Sequence, residues 1–256
     1  MKNFIQMLFL FLLLSACQTQ DDPVKLPDDE DPRPATGAVT PVGTPTGAVV
    51  KTSIGPAGGS VSSPDRRIQV TIPFNALTAE QAISVQAVDN NCPGGTGLGF
   101  RLEPHGVKFA KPVRVTFNYD DADLSGSAAS ELKIAYQNDK GIWQVPKVVS
   151  LDTVSRAVTI ETTHFSDWGL FRKTYINPVN AMLNPGEHLH MKVFQIPEAE
   201  SPDPNELAVP LPELLPAKYI KKWALKGNGT LKHEYTTGDY YAPEGQAVTG
   251  AAVTVF

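Results

Sequence analysis

Cysteine is scarce in this sequence, with Cys17 and Cys92 the only two in 256 residues. Histidine is scarce as well, at five residues, and no cluster of Cys and His has the spacing of a zinc site. We therefore expect no structural metal. No motif indicates any other cofactor.

The sequence also lacks a strongly basic segment. Its net charge is −5 and its pI about 5.5, and no run of Lys and Arg carries the interleaved aromatics that favour contact with a phosphate backbone. A Gly-x-Ser-x-Gly elbow, a His-Glu-x-x-His helix and an obvious pair of catalytic carboxylates are all missing. These absences favour a binding or structural module over an enzyme, and they argue against a nucleic-acid partner.

One apolar run stands out, at the N-terminus, where Lys2 precedes the segment from Phe4 to Leu14. This run is shorter than the ~20 residues that a membrane-spanning helix needs. Small residues lie just before Cys17, as a signal peptidase requires. Residues 1–16 are therefore predicted to be an export signal.

The four residues ending at Cys17 read Leu-Ser-Ala-Cys, which resembles the lipobox of bacterial lipoproteins. The resemblance implies that Cys17 receives a diacylglycerol on its sulfur and becomes the N-terminus after cleavage. Cys92 would then have no partner for an intrachain disulfide. The alternative is an ordinary secretory signal that happens to contain a cysteine.

Residues 17–50 are rich in Pro, Asp, Glu, Thr and Gly, with almost no large apolar side chain up to about Thr46. Because such a segment cannot form a core, it is predicted to be a disordered tether. Gln18 and the acidic pair Asp21-Asp22 resemble the start of lipoproteins sorted to the outer membrane, and in some bacteria to the cell surface. Alternatively, the acidic residues only solvate a linker.

From Ser53 onward, apolar residues recur with a period of two. Ile68, Val70 and Ile72 alternate with polar residues, as half-buried strands do. Similar short runs occur at 83–88, 113–119, 132–136, 142–145 and 158–160. Gly, Pro, Asn and Asp separate these runs, so the chain is predicted to be all-β, with two β-sandwich domains behind the signal and the acidic linker.

Five fragments of this part resemble the ZU-five (zona-occludens/uncoordinated-five) domain. They are Gly-Gly-Ser-Val at 58–61, the strand at 68–73, Ala-Leu at 76–77, Gly-Phe-Arg-Leu-Glu-Pro-His-Gly at 99–106 and Phe-Ala-Lys-Pro-Val at 109–113. The resemblance covers about residues 53–171 and implies a ZU-five-like β-sandwich over residues 51–172. Pro73 and Pro112 are expected at strand ends, where no ladder donor is needed.

A second all-β unit is predicted over residues 176–256. The segment around Trp223, the Tyr240-Tyr241 pair and the closing run Ala252 to Val255 resemble bacterial immunoglobulin-like repeats. The resemblance implies that Trp223 is the buried core tryptophan and that packing replaces the absent cysteine pair. Continuation of the natural chain beyond Phe256 stays open.

The triplet His164-Phe165-Ser166 is the main candidate site. In some ZU-five relatives a His-Phe-Ser triplet at the end of the domain cleaves its own chain. Carried over, this implies that the Ser166 hydroxyl attacks the Phe165 carbonyl while His164 accepts the proton, giving an ester that water hydrolyses. The alternative is a terminal strand in which Phe165 and Trp168 pack inward while His164 and Ser166 face solvent.

Three other patterns receive structural interpretations. The glycine-rich stretch Cys92 to Gly99 has no following Lys-Ser/Thr pair and is expected to be a flexible loop rather than a phosphate site. His188 and His190 share a strand face but have no identifiable third metal ligand. The acidic run from Asp120 to Asp123 is expected to be a turn, with weak calcium binding as the alternative.

Together these patterns favour a lipid-anchored protein of the cell envelope, placed at the outer membrane and acting as an interaction or adhesion module. The expected partners are the membrane, through the lipid on Cys17, and an unidentified protein or glycan. Self-cleavage between Phe165 and Ser166 is one alternative. Surface glycan binding is another, with Tyr240 and Tyr241 as the aromatic candidates.

Overall fold

The computed structural model describes residues 36–146, 149–245 and 250–256. Within these ranges β-strands are the main regular elements, and two single 3-10 turns, Ala129–Glu131 and Ala217–Tyr219, are the only helical ones. None of the helical elements in the described part is long and apolar enough to cross a membrane. The predicted all-β sandwich fold is confirmed.

The larger part of the molecule consists of two antiparallel sheets. The first sheet has the spatial order β1 (Val50–Ile54), β4 (Gln81–Val88), β5 (Gly95–Glu103), β11 (Asp167–Arg172), β7 (Leu132–Gln137), β8 (Trp143–Pro146), β15 (Glu206–Ala208) and β14 (Ala199–Glu200). The second sheet has the order β2 (Gly59–Ser62), β3 (Ile68–Ile72), β6 (Lys108–Asn118), β10 (Ala157–His164) and β9 (Ser150–Asp152).

These two sheets enclose the main hydrophobic core. Along β3 the side chains of Ile68, Val70 and Ile72 are buried while Gln69 and Thr71 are exposed, as the alternation predicted. Val113, Val115 and Phe117 of β6 extend the same buried layer across the sheet. Trp168, on β11 of the first sheet, faces them with no exposed surface.

A stretch of chain that the sequence assigned to the disordered tether lies against the first sheet. The backbone N–H of Ala38 donates to the Val209 carbonyl at 2.9 Å, and that of Thr40 donates to Gly141 at 3.0 Å. Further along, the N–H of Thr46 donates to the Ala87 carbonyl at 2.9 Å. Residues 36–49 therefore differ from the prediction, because backbone groups can pair with the sandwich without any large apolar side chain.

The glycine-rich stretch 95–99 also differs from its prediction. It forms the first half of β5, which pairs with β4 and β11, rather than a flexible loop. Gly99 lies so close to its neighbours that a Cβ there would stand 3.2 Å from a Val88 methyl group. Glycine thus serves close strand packing here instead of mobility.

Pro73 directly follows β3, as expected, but Pro112 lies inside β6. The pairing of β10 with β6 shifts register here, since Thr162 pairs with Val113 and His164 with Lys108. Proline is tolerated in a strand interior where the ladder is interrupted. The irregularity places the end of β10 beside an unpaired stretch of β6.

Two smaller sheets form the C-terminal part. The third sheet has the order β12 (Thr174–Asn177), β13 (His188–Gln195), β19 (Thr237–Tyr241) and β18 (Thr230–Glu234), with β16 (Glu213–Leu214) also paired to β13. The fourth sheet contains only β17 (Trp223–Lys226) and β20 (Ala252–Val255). The long Pro/Glu-rich segment between β13 and β17 supplies β14 and β15, which join the first sheet rather than the third.

Trp223 is buried between the third and fourth sheets, as the immunoglobulin resemblance implied. A Cβ at Gly238 would lie 2.6 Å from the Trp223 ring, so glycine is required there for the ring to pack against β19. The Trp223 indole N–H donates to the Tyr235 carbonyl at 2.9 Å. This satisfies the polar atom of an otherwise apolar residue.

Candidate functional site

The His-Phe-Ser triplet lies where the chain passes from the second sheet to the first. His164 ends β10, Phe165 and Ser166 form the link, and Asp167 begins β11. The carbonyl oxygen of Ser166 accepts a hydrogen bond from the Leu102 N–H at 3.0 Å. The link is therefore held to β5 although it belongs to neither strand.

Phe165 is a core residue. Its side chain is buried, and its ring meets that of Phe109 edge to face with centroids 4.8 Å apart. The Phe165 side chain thus fixes the position of the peptide bond between Phe165 and Ser166. This burial agrees with the packing alternative for the triplet and is equally compatible with a positioned scissile bond.

His164 is half-buried among aromatic rings. Its ring centroid lies 4.5 Å from that of Tyr136 and 5.9 Å from that of Trp168. Burial lowers the pKa of His164 from its usual value, which keeps the ring neutral at pH 7. A neutral imidazole can accept a proton, as the cleavage hypothesis requires of this residue.

The Tyr136 ring that contacts His164 is itself fixed by a charged partner. Its hydroxyl donates to the carboxylate of Glu206, with both oxygens at 2.8 Å. Burial, followed by this hydrogen bond, raises the pKa of Tyr136. Because Glu206 belongs to β15, the C-terminal half of the chain contributes to the surroundings of His164.

The Ser166 hydroxyl donates a short hydrogen bond to the Gln137 carbonyl oxygen at the end of β7. A backbone carbonyl is too weak a base to activate a serine hydroxyl, so in this arrangement the oxygen is not a nucleophile. Cleavage would require the hydroxyl proton to leave Gln137 and pass to His164. In the described arrangement the Ser166 hydroxyl is therefore not activated.

An ion pair fixes the residue immediately after the triplet. The Asp167 carboxylate accepts two hydrogen bonds from Arg101, each at 2.8 Å, and its side chain is only 4% exposed. Arg101 also donates to the Gly43 carbonyl at 3.0 Å, and the His105 ring nitrogen lies 3.6 Å from Asp167. Such a bidentate pair restricts the direction in which the chain leaves Ser166.

The surroundings of the triplet were missed by sequence reasoning. Arg101, the neighbours Tyr136 and Gln137, and Glu206 come from three different strands, and none of them is close to the triplet in sequence. Asp167 does carry a signal, because a carboxylate within a run of buried residues needs a cationic partner.

Of the two cysteines, only Cys92 lies in the part of the chain that the structure describes. Cys17, the predicted lipidation site, lies outside the described residues. Cys92 is buried, and burial raises the pKa of its thiol well above the usual value. A thiol of this kind stays protonated at neutral pH and behaves as a small apolar side chain.

The acidic turn at 120–123 is neutralised by arginines rather than left open for a cation. The Arg67 guanidinium lies 2.8 Å from the Asp120 carboxylate and 2.5 Å from that of Asp123. Arg156 lies 2.9 Å from Asp121. No group of three or more metal-binding side chains is found in the parts of the chain that the structure describes.

His188 and His190 lie on the exposed face of β13, as their spacing predicted. The His190 ring nitrogen Nδ1 is 2.8 Å from the Asp239 carboxylate, and His188 stacks on Tyr241 with centroids 5.4 Å apart. The neighbouring Tyr240 is buried and donates its hydroxyl to the Asn228 carbonyl. Of the two tyrosines, only Tyr241 lies on the outer face of the sheet.

No protein-family model matches this chain, and no curated protein matches it. The geometry described above is therefore the basis for any functional conclusion.

Proposed function

We propose that this protein is a lipid-anchored interaction module of the cell envelope, without turnover catalysis. The observation that carries the proposal is the state of the candidate nucleophile, since the Ser166 hydroxyl donates to the Gln137 carbonyl rather than to a base. The carboxylate of the next residue, Asp167, is paired with Arg101. A site arranged in this way holds strands together and lacks an activated group.

The anchoring part of the proposal rests on the lipobox-like sequence before Cys17. Acyl chains contribute about 0.8 kcal/mol for each buried methylene group, so a lipid with two or more chains keeps a protein on a bilayer. Confinement to a surface raises the local concentration of a module relative to partners on the same membrane. The module can then function through contacts that are individually weak.

The anchor is tested by expressing the full chain in a Gram-negative bacterium and labelling it with an alkyne-bearing fatty acid. The parental protein and the Cys92→Ser variant are expected to carry the label and to remain with the membranes. Cys17→Ser is expected to lose both properties. Label retained on Cys17→Ser would refute the anchor.

A second function is favoured by the pKa of His164. Burial keeps the ring neutral and able to accept a proton, and the adjacent Phe165–Ser166 bond is held in place by the burial of Phe165. We propose as the alternative that the chain cleaves itself once between these two residues. The Ser166 hydroxyl would attack the Phe165 carbonyl carbon as its proton passes to His164. The Phe165–Ser166 C–N bond would then break while His164 returns the proton to the Ser166 nitrogen, and water would hydrolyse the resulting ester.

Intact mass spectrometry of the purified protein after long incubation and denaturation separates the two functions. Self-cleavage predicts two fragments that meet between Phe165 and Ser166, and their absence in Ser166→Ala. Ser155→Ala, an exposed serine on a turn, is the matched control and should behave as the parental protein. A single intact mass for all three proteins would leave the non-catalytic module as the function.

A further inference from the structure

One edge of β20 has no backbone partner among the residues that the structure describes. Phe256 donates its N–H to the Lys222 carbonyl at 2.9 Å, and the Lys222 N–H donates back at 3.2 Å. In an antiparallel pair such exchanges recur at every second residue, so Val253 and Val255 direct their N–H and C=O groups away from β17. Among the described residues, none forms a backbone pair with these four groups.

Other strand edges in the C-terminal part are protected. The edge strand β18 carries Lys232, His233 and Glu234, and charged side chains discourage pairing with another chain. The edge of β12 is covered, since the Ile176 N–H donates to the Gly126 carbonyl at 2.7 Å. By contrast, β20 reads Ala-Val-Thr-Val and contains no charged residue, proline or glycine.

The inner side of β20 borders a cavity of about 470 Å³. Its lining includes Leu189, Met191 and Tyr240 from the third sheet, Val253 from β20, and the segment 178–183 between β12 and β13. No residue of β17 lines it, although β17 is the other strand of the same sheet. The unfilled space therefore lies on the free-edge side of the fourth sheet, and Val253 and Val255 are only half-buried there.

We propose that a second copy of this chain pairs its β20 antiparallel with this free edge. The positions of the free groups determine the register, because each edge valine must face an edge valine of the other copy. Val253 then pairs with Val255 of the second copy, Thr254 with Thr254, and Val255 with Val253. All four free N–H and C=O groups of each strand acquire a partner, which makes the contact isologous and closed.

The side chains of β20 suit this pairing. A two-fold axis perpendicular to the sheet leaves the valines of both copies on the inner side, the side on which Val253 lines the cavity. On the outer side the two Thr254 side chains meet, a favourable cross-strand pair. Phe256, which is 59% exposed, falls opposite Ala252 of the other copy, whose small side chain leaves room for the ring.

The pairing adds a sheet edge to a sheet edge, a common mode of peptide recognition. A contact of one short strand is smaller than the ~1,200 Å² that stable interfaces bury, so association should be weak and dependent on concentration. Self-pairing names the partner of the proposed interaction module, and its biological role rests on that proposed function. The geometry of the β20 pairing does not depend on the lipid.

Cysteine cross-linking tests the register directly. Residues opposite each other in a non-hydrogen-bonded pair have Cα atoms about 4.5 Å apart, within the range that a disulfide spans. In Thr254→Cys the two thiols would meet. Mild oxidation of the full chain in membranes should therefore give more disulfide-linked dimer than the parental protein gives. In Ala252→Cys the two thiols would lie more than about 13 Å apart, and the excess should be lost.

A second variant separates pairing from folding. Val255→Pro removes an edge N–H that donates to none of the described residues, so it should abolish cross-linking of Thr254→Cys while the third and fourth sheets stay folded. Equal cross-linking of Thr254→Cys and Ala252→Cys, or none in either, would overturn the proposal. Because the fatty-acid label on Cys17 is a separate readout, failure of the anchor and failure of the pairing are distinguishable.

Discussion

The two parts of the molecule bury their tryptophans to different extents. In the pair of large sheets, Trp168 has no exposed surface and Trp143 is 2% exposed. In the C-terminal sheets, Trp223 is 6% exposed, and a cavity of about 470 Å³ is lined by residues of β13, β19 and β20. The large sheets thus form a filled sandwich, whereas the fourth sheet has too few strands to cover the inner face of the third.

This difference indicates a division of roles. A filled core of large side chains provides stability, because each fully buried apolar side chain contributes about 1.5–3 kcal/mol. A sheet with an open edge and unfilled apolar space is instead suited to accept another strand. The candidate triplet lies in the filled part and the proposed pairing edge in the unfilled part.

The largest expected effect contrasts the two tryptophans. Trp168→Ala should destabilise the protein by about 3–5 kcal/mol, since a fully enclosed ring leaves a cavity that its neighbours cannot fill. Trp223→Ala should cost less, because Trp223 keeps some exposed surface and belongs to a much smaller buried cluster. Urea unfolding monitored by circular dichroism gives both values. A larger loss for Trp223→Ala would contradict the contrast between a filled and an unfilled part.

An intermediate effect is expected at Thr40, which lies in the segment before β1. Its hydroxyl oxygen accepts hydrogen bonds from the Trp143 indole at 2.8 Å and from the Gln137 amide at 2.9 Å. Thr40→Val leaves these buried donors without that acceptor, and the expected cost is about 1–3 kcal/mol. Thr44→Val is the control, because Thr44 is exposed and contributes only a backbone carbonyl.

Equal stability of the Thr40→Val and Thr44→Val variants in urea unfolding would show that the Thr40 hydroxyl contributes nothing to the stability of the large sheets.

The smallest expected effect is a pH dependence caused by His164. Burial lowers the pKa of His164 in the folded state, so the unfolded chain binds the proton more readily. Stability from the neutral ring is therefore complete above the unfolded pKa of about 6.5 and is lost as pH falls from there toward the lower folded pKa. His164→Gln should reduce the shift in melting temperature between pH 7.5 and pH 5.5.

The exposed His188, for which His188→Gln is the matched variant, serves as the control for this pH dependence. An identical shift in the parental protein and in His164→Gln would mean that another group, and not His164, titrates on unfolding.

Sequence reasoning succeeded where side chains alternate. The strands β3 and β6 were predictable because Ile68, Val70 and Ile72, and the matching residues of β6, follow the period of a half-buried strand. It failed at β5, where glycines resembled a loop, and at β15, which lies in a Pro/Glu-rich segment. In these strands backbone pairing and close packing determine the structure. Neither of them produces an alternation of apolar and polar residues in the sequence.

The candidate site was predictable only in part, for a related reason. The triplet is visible because its three residues are adjacent in sequence, whereas the acceptor of the Ser166 hydroxyl, Gln137, is 29 residues away. The accepting group of Gln137 is its backbone carbonyl, which every residue has, so the residue type gives no signal. Register between strands, which no short motif encodes, brings the two together.

The segment 36–49, which runs along the first sheet through bonds such as Thr40 N–H to Gly141, also has a mechanical meaning. If the chain is tethered at its N-terminus, tension reaches these few hydrogen bonds before it reaches β1. Releasing the segment would lengthen the tether by about 50 Å, at ~3.3–3.6 Å for each extended residue, while both large sheets stay intact. Release of the segment would then lengthen the tether under force before either large sheet begins to unfold.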